Sequence, residues 1–382
     1  TLSLLRNIFH DQRQRTLAIA VWATMFSVGS AMGPVIGGWL LEHFWWGSVF
    51  LINLPVMVGL LVLTPLLVPE SRNPSPGRYD LRSAGLSLVA MLSAVYGMKT
   101  LASHGVGVPG VAALMAGFAF GVVFVRRQRK LAEPLLDLRL FNNRGFSTSV
   151  ATNLLATMAF IGALFFITQY LQIVIGLSPL RAALVLVPGL TLAIFAGLFT
   201  VRLMRRAGIG TLLFAMLLMA AVGYSLMTQL PGGSTSGAWL LAVGFTLVAA
   251  GFGAANTVTN NTIMAVVAPE KAGAASAISE TAYEVGAAMG TAVLGTVVTA
   301  VYAAKLQSVP GVPEAMMQEA RQTLGGATHV AEDLGGDAGA ALRVAADASF
   351  TSAVNVTSVI GVALVLYAAI QAYAVLRRRS AR

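Results

Sequence analysis

The chain has 382 residues, of which 57% are hydrophobic and only 10% charged, with a mean hydropathy of +0.77; soluble domains carry about 25% charged residues, so the composition excludes that class and implies a polytopic membrane protein. The absence of cysteine excludes disulfides, iron–sulfur clusters and cysteine zinc sites. A net charge of +10 would point to nucleic acid if it were gathered on one face, but the cations are split among loops that bound apolar segments.

The chain opens on Thr1 without an initiator methionine, and residues 1–15 read as a basic loop that follows a helix, with Arg6, Arg13 and Arg15 against Asp11. The start of the protein is therefore expected upstream. Ten apolar segments follow, each long enough for the ~30 Å hydrocarbon core. They are placed near 16–41, 48–68, 84–103, 109–125, 146–175, 179–201, 208–229, 238–266, 272–303 and 350–376. Alternate loops hold 20 of the 25 Lys and Arg residues; the other five are Lys99, Arg181, Lys305, Arg321 and Arg343. By the positive-inside rule both ends are expected in the cytoplasm.

The linkers Glu70–Arg78 and 126–144 bracket a two-helix insert, 84–125, rich in small and aliphatic residues and free of buried charge, which reads as packing rather than pathway. The long outer excursion, 304–349, carries three basic residues against six acidic ones. Short amphipathic helices are expected at 313–324 and 338–348, around breaks at Gly325–Gly326 and Gly335–Gly336. The excursion is either an acidic lid over the outer mouth or a solvated loop.

The segment Ala272–Tyr302 holds Glu280 and Glu284, the charges placed deepest in an apolar stretch. Four residues apart, they share one helix face about 6 Å from each other, and Glu284 lies about 18 Å in from Ala272. An ionised group at that depth costs several kcal/mol unless it faces a polar cavity or takes up a proton. Two such groups imply a cavity and a coupled protonation cycle. A lipophilic cation would displace protons from the pair, and protons arriving from outside would displace the cation. Tyr283 offers an aromatic face worth roughly 0.5–2 kcal/mol to a cation. Phe26, Phe165, Phe166 and Tyr170 are further pocket candidates, against a competing reading as core or lipid-facing packing. Asn256 and Asn260 in the preceding span are also pocket candidates; the competing reading is that they and Asn261 hold helices together or engage the glutamates in an interhelix hydrogen bond.

In the first span, Gly29, Gly33 and Gly37 recur at every fourth position, with Pro34 and Gly38 beside them. Such a strip without side chains lets a helix approach closely, and the proline permits a bend. The string GxxxGPxxGG resembles the antiporter signature of the drug/proton exporters in the major facilitator superfamily. Trp46-Gly-Ser-Val-Phe50-Leu-Ile52-Asn53-Leu-Pro55 is similar to the WRWxFxINxP stretch of the 14-span branch, although Gly47 stands where the family commonly has Arg and Ser48 replaces an aromatic. Tyr170-Leu-Gln172, Gly176-Leu-Ser178-Pro179 and Pro188 resemble a helix connection of the second bundle. Ser279-Glu280-Thr-Ala-Tyr283-Glu284-Val-Gly286 resembles the acidic thirteenth helix of the QacA- and SmvA-type exporters of quaternary ammonium compounds and methyl viologen.

The resemblance implies an all-α major facilitator bundle in which the ten spans are helices five to fourteen. Residues 16–68 would close the N-terminal bundle, 69–145 would hold the linkers and insert, 146–376 would form the six-helix C-terminal bundle, and 377–382 a basic tail. The family's Asp of the first helix and Arg of the fourth would lie upstream, so residues 1–382 alone are not expected to transport. The implied activity is proton-coupled efflux of lipophilic mono- and dications across a bacterial inner membrane, driven by the proton motive force without a cofactor or metal. Its partners would be the bilayer, such cations and protons, and no nucleic acid. A neutral or anionic cargo and a non-transporting membrane scaffold are the alternatives. Enzyme readings have no motif: His10, His43, His104 and His329 stand alone, and the GxGxxG match at Gly105–Gly110 is a turn between two spans.

Overall fold

The computed structural model describes residues 11–67, 80–104, 107–131, 134–231, 235–267 and 272–377; in 12–30 most side chains, and in 102–104 and 235–236 all of them, lie outside that description. Most of the expected opening loop, the linker Glu70–Arg78, part of the turn at Gly105 and the tail beyond Arg377 therefore fall outside it. The described residues are helical and contain no strand. Nine stretches among them are long and apolar enough to cross a membrane. The segment expected as the first span, 16–41, lies within helix α1, Gln12–His43.

Two compact units divide the chain: Thr1–Tyr79 with Leu177–Thr191, and Asp80–Gly176 with Leu192–Arg382. In the first unit α1 is followed by α2 (Ser48–Leu51) and α3 (Asn53–Leu67). No residue of α3 is buried, and a helix this apolar all round belongs in lipid. Trp45, Trp46 and Phe50 stack edge to face at the α1–α2 corner and stay exposed, as aromatic residues do at a membrane interface.

The second unit begins with the hairpin α4 (Leu81–His104) and α5 (Val108–Lys130). A short 3₁₀ turn leads into α6 (Arg144–Gln169), which ends in a π turn at Tyr170–Val174. Gly176, at φ 76°, takes a backbone conformation that other residues adopt only with strain, and α7 (Pro179–Leu203) starts directly after it. Then come α8 (Ile209–Met227), α9 (Thr235–Ala265), α10 (Ala272–Met289), a π turn at Gly290–Leu294 and α11 (Gly295–Lys305). The segment expected as one unbroken helix, 272–302, is thus helical but locally rewound at Gly290, a feature common at functional sites.

Lipid gives little hydrophobic drive for helices to associate, so close approach and hydrogen bonds hold the bundle. A Cβ on Gly244 would stand 2.8 Å from Gly223 O, which is how near α8 and α9 come. Helices α8 and α9 and the last helix, Gly336–Leu376, close on α6 through Leu213, Leu217, Ala255, Val258 and Ala369. Tyr224, fully buried on α8, donates its hydroxyl to Ala159 O on α6 at 2.6 Å. Helices α6, α9 and α10 share a second core of Phe146, Val150, Ile263, Ala275 and Ile278.

The outer excursion departs from expectation. It holds α12 (Glu314–Gln322) and α13 (Leu324–Leu334), and the stretch expected as a separate helix at 338–348 is the first part of α14 (Gly336–Leu376), a single helix of 41 residues. Gly325–Gly326 is not a break: Thr323 Oγ1 accepts from Gly326 N at 3.0 Å and caps α13. The true stop is Gly335, at φ 58°, after which no residue interrupts the helix before the last span. At about 1.5 Å per residue α14 runs about 60 Å, twice the hydrocarbon core. The excursion has a core of its own in Met317, Ala320, Ala327 and Leu342, each fully buried.

Tyr302 of α11 donates its hydroxyl to Ala320 O of α12 at 2.9 Å, and Arg343 donates to Ile173 O of the first π turn at 2.6 Å. Tyr302→Phe is expected to cost about 0.5–1.5 kcal/mol. It should raise amide exchange in α12 and leave the bundle helices unchanged; equal exchange in both proteins would show that the hydroxyl does not hold the cap.

Candidate functional site

Helix α10 has two faces. Ala275, Ile278, Ser279, Ala282 and Gly286 are buried, whereas Gly273, Ala277, Glu280, Thr281, Glu284 and Ala288 are exposed. The buried face is set by close approach to α6: a Cβ on Gly286 would stand 2.6 Å from Leu154 O, and one on Gly290 would press on Met158 O. A bulkier residue at either position would push α10 away.

Hydrogen bonds fix the rotation of the same turn. Ser279 Oγ donates to Asn260 Oδ1 at 2.6 Å and accepts from Asn153 Nδ2 at 3.3 Å. Asn260 Nδ2 in turn donates to the carbonyl of Asn256 at 3.0 Å and to its side-chain oxygen. This ladder joins α6, α9 and α10, with Asn153 and Ser279 both buried. Because Ser279 is pinned inward, its neighbour Glu280 points away from the bundle, and Glu284 one turn later does the same. Among the described residues neither carboxylate has a hydrogen bond or an ion pair.

The structure sorts the sequence candidates. Glu280, Glu284 and half-buried Tyr283 lie together on α10. Asn260 links α9 to α10 through Ser279, Asn256 accepts from Asn260 within α9, and Asn261 donates to Thr257 O on its own helix at 2.9 Å, so none of these three asparagines binds a glutamate. Phe166 and Tyr170 are fully enclosed, with the Tyr170 hydroxyl donating to Pro231 O at 3.2 Å. Their rings are core and offer a ligand no surface, in correction of their candidacy for the pocket. Phe165 is 40% exposed and lies against Gly295. The side chain of Phe26 lies outside the described residues. A Cβ on Gly29, Gly33 or Gly37 would meet nothing within 4 Å, whereas one on Gly38 would stand 2.9 Å from Leu180 Cα at the start of α7. Beside Gly38, Pro34 is accommodated inside the continuous helix α1.

Sequence reading missed Asn153, Ser279 and the bond from Gln371 Nε2 of α14 to Thr152 Oγ1 of α6 at 3.2 Å. Their signal was the run of small polar residues Thr148, Ser149, Thr152 and Asn153 inside an apolar span. Such side chains need partners within the bundle because lipid supplies none.

Residues 1–291 match the Major Facilitator Superfamily. The chain is 45% identical over 359 residues to the multidrug efflux pump LfrA of Mycolicibacterium smegmatis, covering 94% of this chain and 71% of that protein. It is 31% identical over 354 residues to the methyl viologen resistance protein SmvA of Salmonella typhimurium, covering 92% and 70%. With the tetracenomycin C resistance and export protein of Streptomyces glaucescens it shares 32% identity over 300 residues, covering 77% and 54%. The crystal structure of a bacterial homolog of the human lysosomal transporter Spinster, inward-facing and unoccupied, matches with a TM-score of 0.56 at 17% identity, covering 97% of this chain and 74% of that one; this is a likeness of fold alone. A helical membrane fold and a match that runs from the first residue into the acidic helix lead to one conclusion: the chain belongs to the Major Facilitator Superfamily.

Proposed function

We propose that the protein exports lipophilic cations, including quaternary ammonium compounds, methyl viologen and dyes, in exchange for protons across a bacterial inner membrane, as a member of the 14-span drug/proton branch. The observation that carries this reading is the pair Glu280 and Glu284, on the unpacked face of a stretch long enough to cross the membrane, Ala272–Lys305. Two carboxylates one turn apart repel each other, so a cation placed between them relieves the repulsion. A cationic guest favours the ionised pair and expels protons; outside protons neutralise the pair and release the guest. Tyr283 supplies the aromatic surface beside them. The name of LfrA supports multidrug efflux and that of SmvA the cargo class, and the α4–α5 hairpin fits the branch.

Moving one charge through 100 mV is worth about 2.3 kcal/mol, a gradient of roughly fiftyfold. No cofactor is needed in this scheme, because the proton motive force supplies the work. A neutral or anionic cargo is the second reading; the similarity to the tetracenomycin C resistance and export protein supports drug export in general. The test is transport by the full-length protein in proteoliposomes under an imposed pH gradient. Ethidium and methyl viologen should be moved with counterflow of protons and should compete with each other, while a neutral drug should not compete. Transport that is unchanged when the pH gradient is collapsed would remove proton coupling, and competition by the neutral drug alone would shift the cargo class.

A further inference from the structure

The α4–α5 hairpin, read from sequence as packing alone, carries an open groove of about 720 Å³ between its two helices. Its lip is Arg82, Arg126 and Lys130, and its wall is Gly85, Leu86, Val89 and Val123. The helices are antiparallel, with a Cβ on Gly117 of α5 placed 2.8 Å from Ala94 N of α4. Arg82, at the start of α4, therefore lies beside Lys130, at the end of α5, and the wall extends about 10 Å along the hairpin from them. The lip is at the end where the loops carry the excess of Lys and Arg, the cytoplasmic side by the positive-inside rule.

A polar knot holds this end rigid. Arg127 donates from Nη2 to both oxygens of Asp80 at 3.0 Å and from Nε to Ser83 Oγ at 3.2 Å. Buried Gln128 donates to Ser83 Oγ at 2.7 Å and accepts from Leu136 N at 3.0 Å. The Arg127 guanidinium and the Ser83 hydroxyl hold the Asp80 carboxyl well below the usual carboxylate range, so this pair stays ionised and mutually neutralised at any physiological pH. The charge of Arg127 is thus committed, while Arg82, Arg126 and Lys130 have no ion pair with another described residue. A Cβ on Gly85 would meet nothing within 4 Å, so the groove is open where the wall begins.

We propose that this groove binds an anionic phospholipid of the cytoplasmic leaflet, with the phosphodiester between Arg82, Arg126 and Lys130 and one acyl chain along Gly85, Leu86, Val89 and Val123. Three cations with no ion pair among the described residues, above an apolar channel, match a single molecule that is anionic at one end and hydrocarbon at the other. Basic pockets between membrane helices on the cytoplasmic side recognise such headgroups. A soluble anion would use the lip and have no use for the wall. The site is separate from Glu280 and Glu284 and does not depend on the cargo they bind.

The test uses the full chain in nanodiscs of phosphatidylcholine with a small fraction of phosphatidylglycerol, read by native mass spectrometry and by Tm. The wild type should retain phosphatidylglycerol over phosphatidylcholine and gain Tm from it. The triple variant R82Q/R126Q/K130Q should lose about tenfold or more of that preference. Gly85→Leu, which fills the channel and leaves the cations, should lose it too while keeping its Tm in pure phosphatidylcholine; should the triple variant not fold, this single variant decides. Retention equal to wild type in either variant would overturn the proposal. Inorganic phosphate reproducing the full gain in Tm, with Gly85→Leu unaffected, would show a small-anion site and would also overturn it.

Discussion

Glu284→Gln in the full-length protein is expected to abolish the proposed proton-coupled export while leaving the protein folded. The carboxylate is exposed and has no partner among the described residues, so the amide removes no contact within the bundle. In the proposed exchange it removes the group that trades a proton for the cation. Ethidium or methyl viologen efflux from cells should fall by more than about tenfold, since a factor of ten corresponds to only about 1.4 kcal/mol and a charge in the bilayer interior is worth several. Proton release on adding the cation to purified protein should fall in parallel. Glu280→Gln should give a smaller loss for monocations and a larger one for dications, because two exchangeable protons suit two charges. Wild-type efflux by Glu284→Gln would take that residue out of the mechanism; loss of efflux with proton release intact would leave it as a cargo ligand only.

Gly286→Ala should destabilise the bundle by about 1–3 kcal/mol, the range for forcing atoms into a packed contact. Alanine is the better helix former, so a loss of stability isolates the steric effect. Its Cβ would stand 2.6 Å from the backbone oxygen of Leu154, which cannot rotate away. Either α6 and α10 part, or the bond between Ser279 and Asn153 stretches. Gly121→Ala on α5 is the control: nothing lies within 4 Å of its Cβ, and it should be neutral or gain up to about 1 kcal/mol. Unfolding in mixed detergent micelles measures both. Equal stability of Gly286→Ala and wild type would mean that the α6–α10 contact is looser than the geometry requires.

These two residues mark what was legible in the chain and what was not. The membrane class, the positions of the spans and the place of Glu280 and Glu284 on one face of one helix follow from hydropathy and from a period of about 3.6 residues, because lipid forces every backbone group into local hydrogen bonds. Local rules also placed most helix ends, as at Pro179. They failed where the outcome depended on a distant neighbour. The expected break at Gly325–Gly326 became the capped first turn of a helix, and the last span gained the residues from Gly336, in an excursion that folds back onto Tyr302 and onto Ile173, 170 positions before Arg343.

The site divides in the same way. Composition and spacing identified two acids in a setting that tolerates neither left bare. Tertiary structure decided which way they point, through Ser279 held between Asn153 and Asn260 and Gly286 against Leu154. It also assigned Phe166 and Tyr170 to the core and opened a basic groove in a hairpin that read as filler. Periodicity tells which residues share a face; only the helices packed around it determine whether that face is covered, and contacts such as Ser279 with Asn153 and Gly286 with Leu154 join residues more than a hundred positions apart.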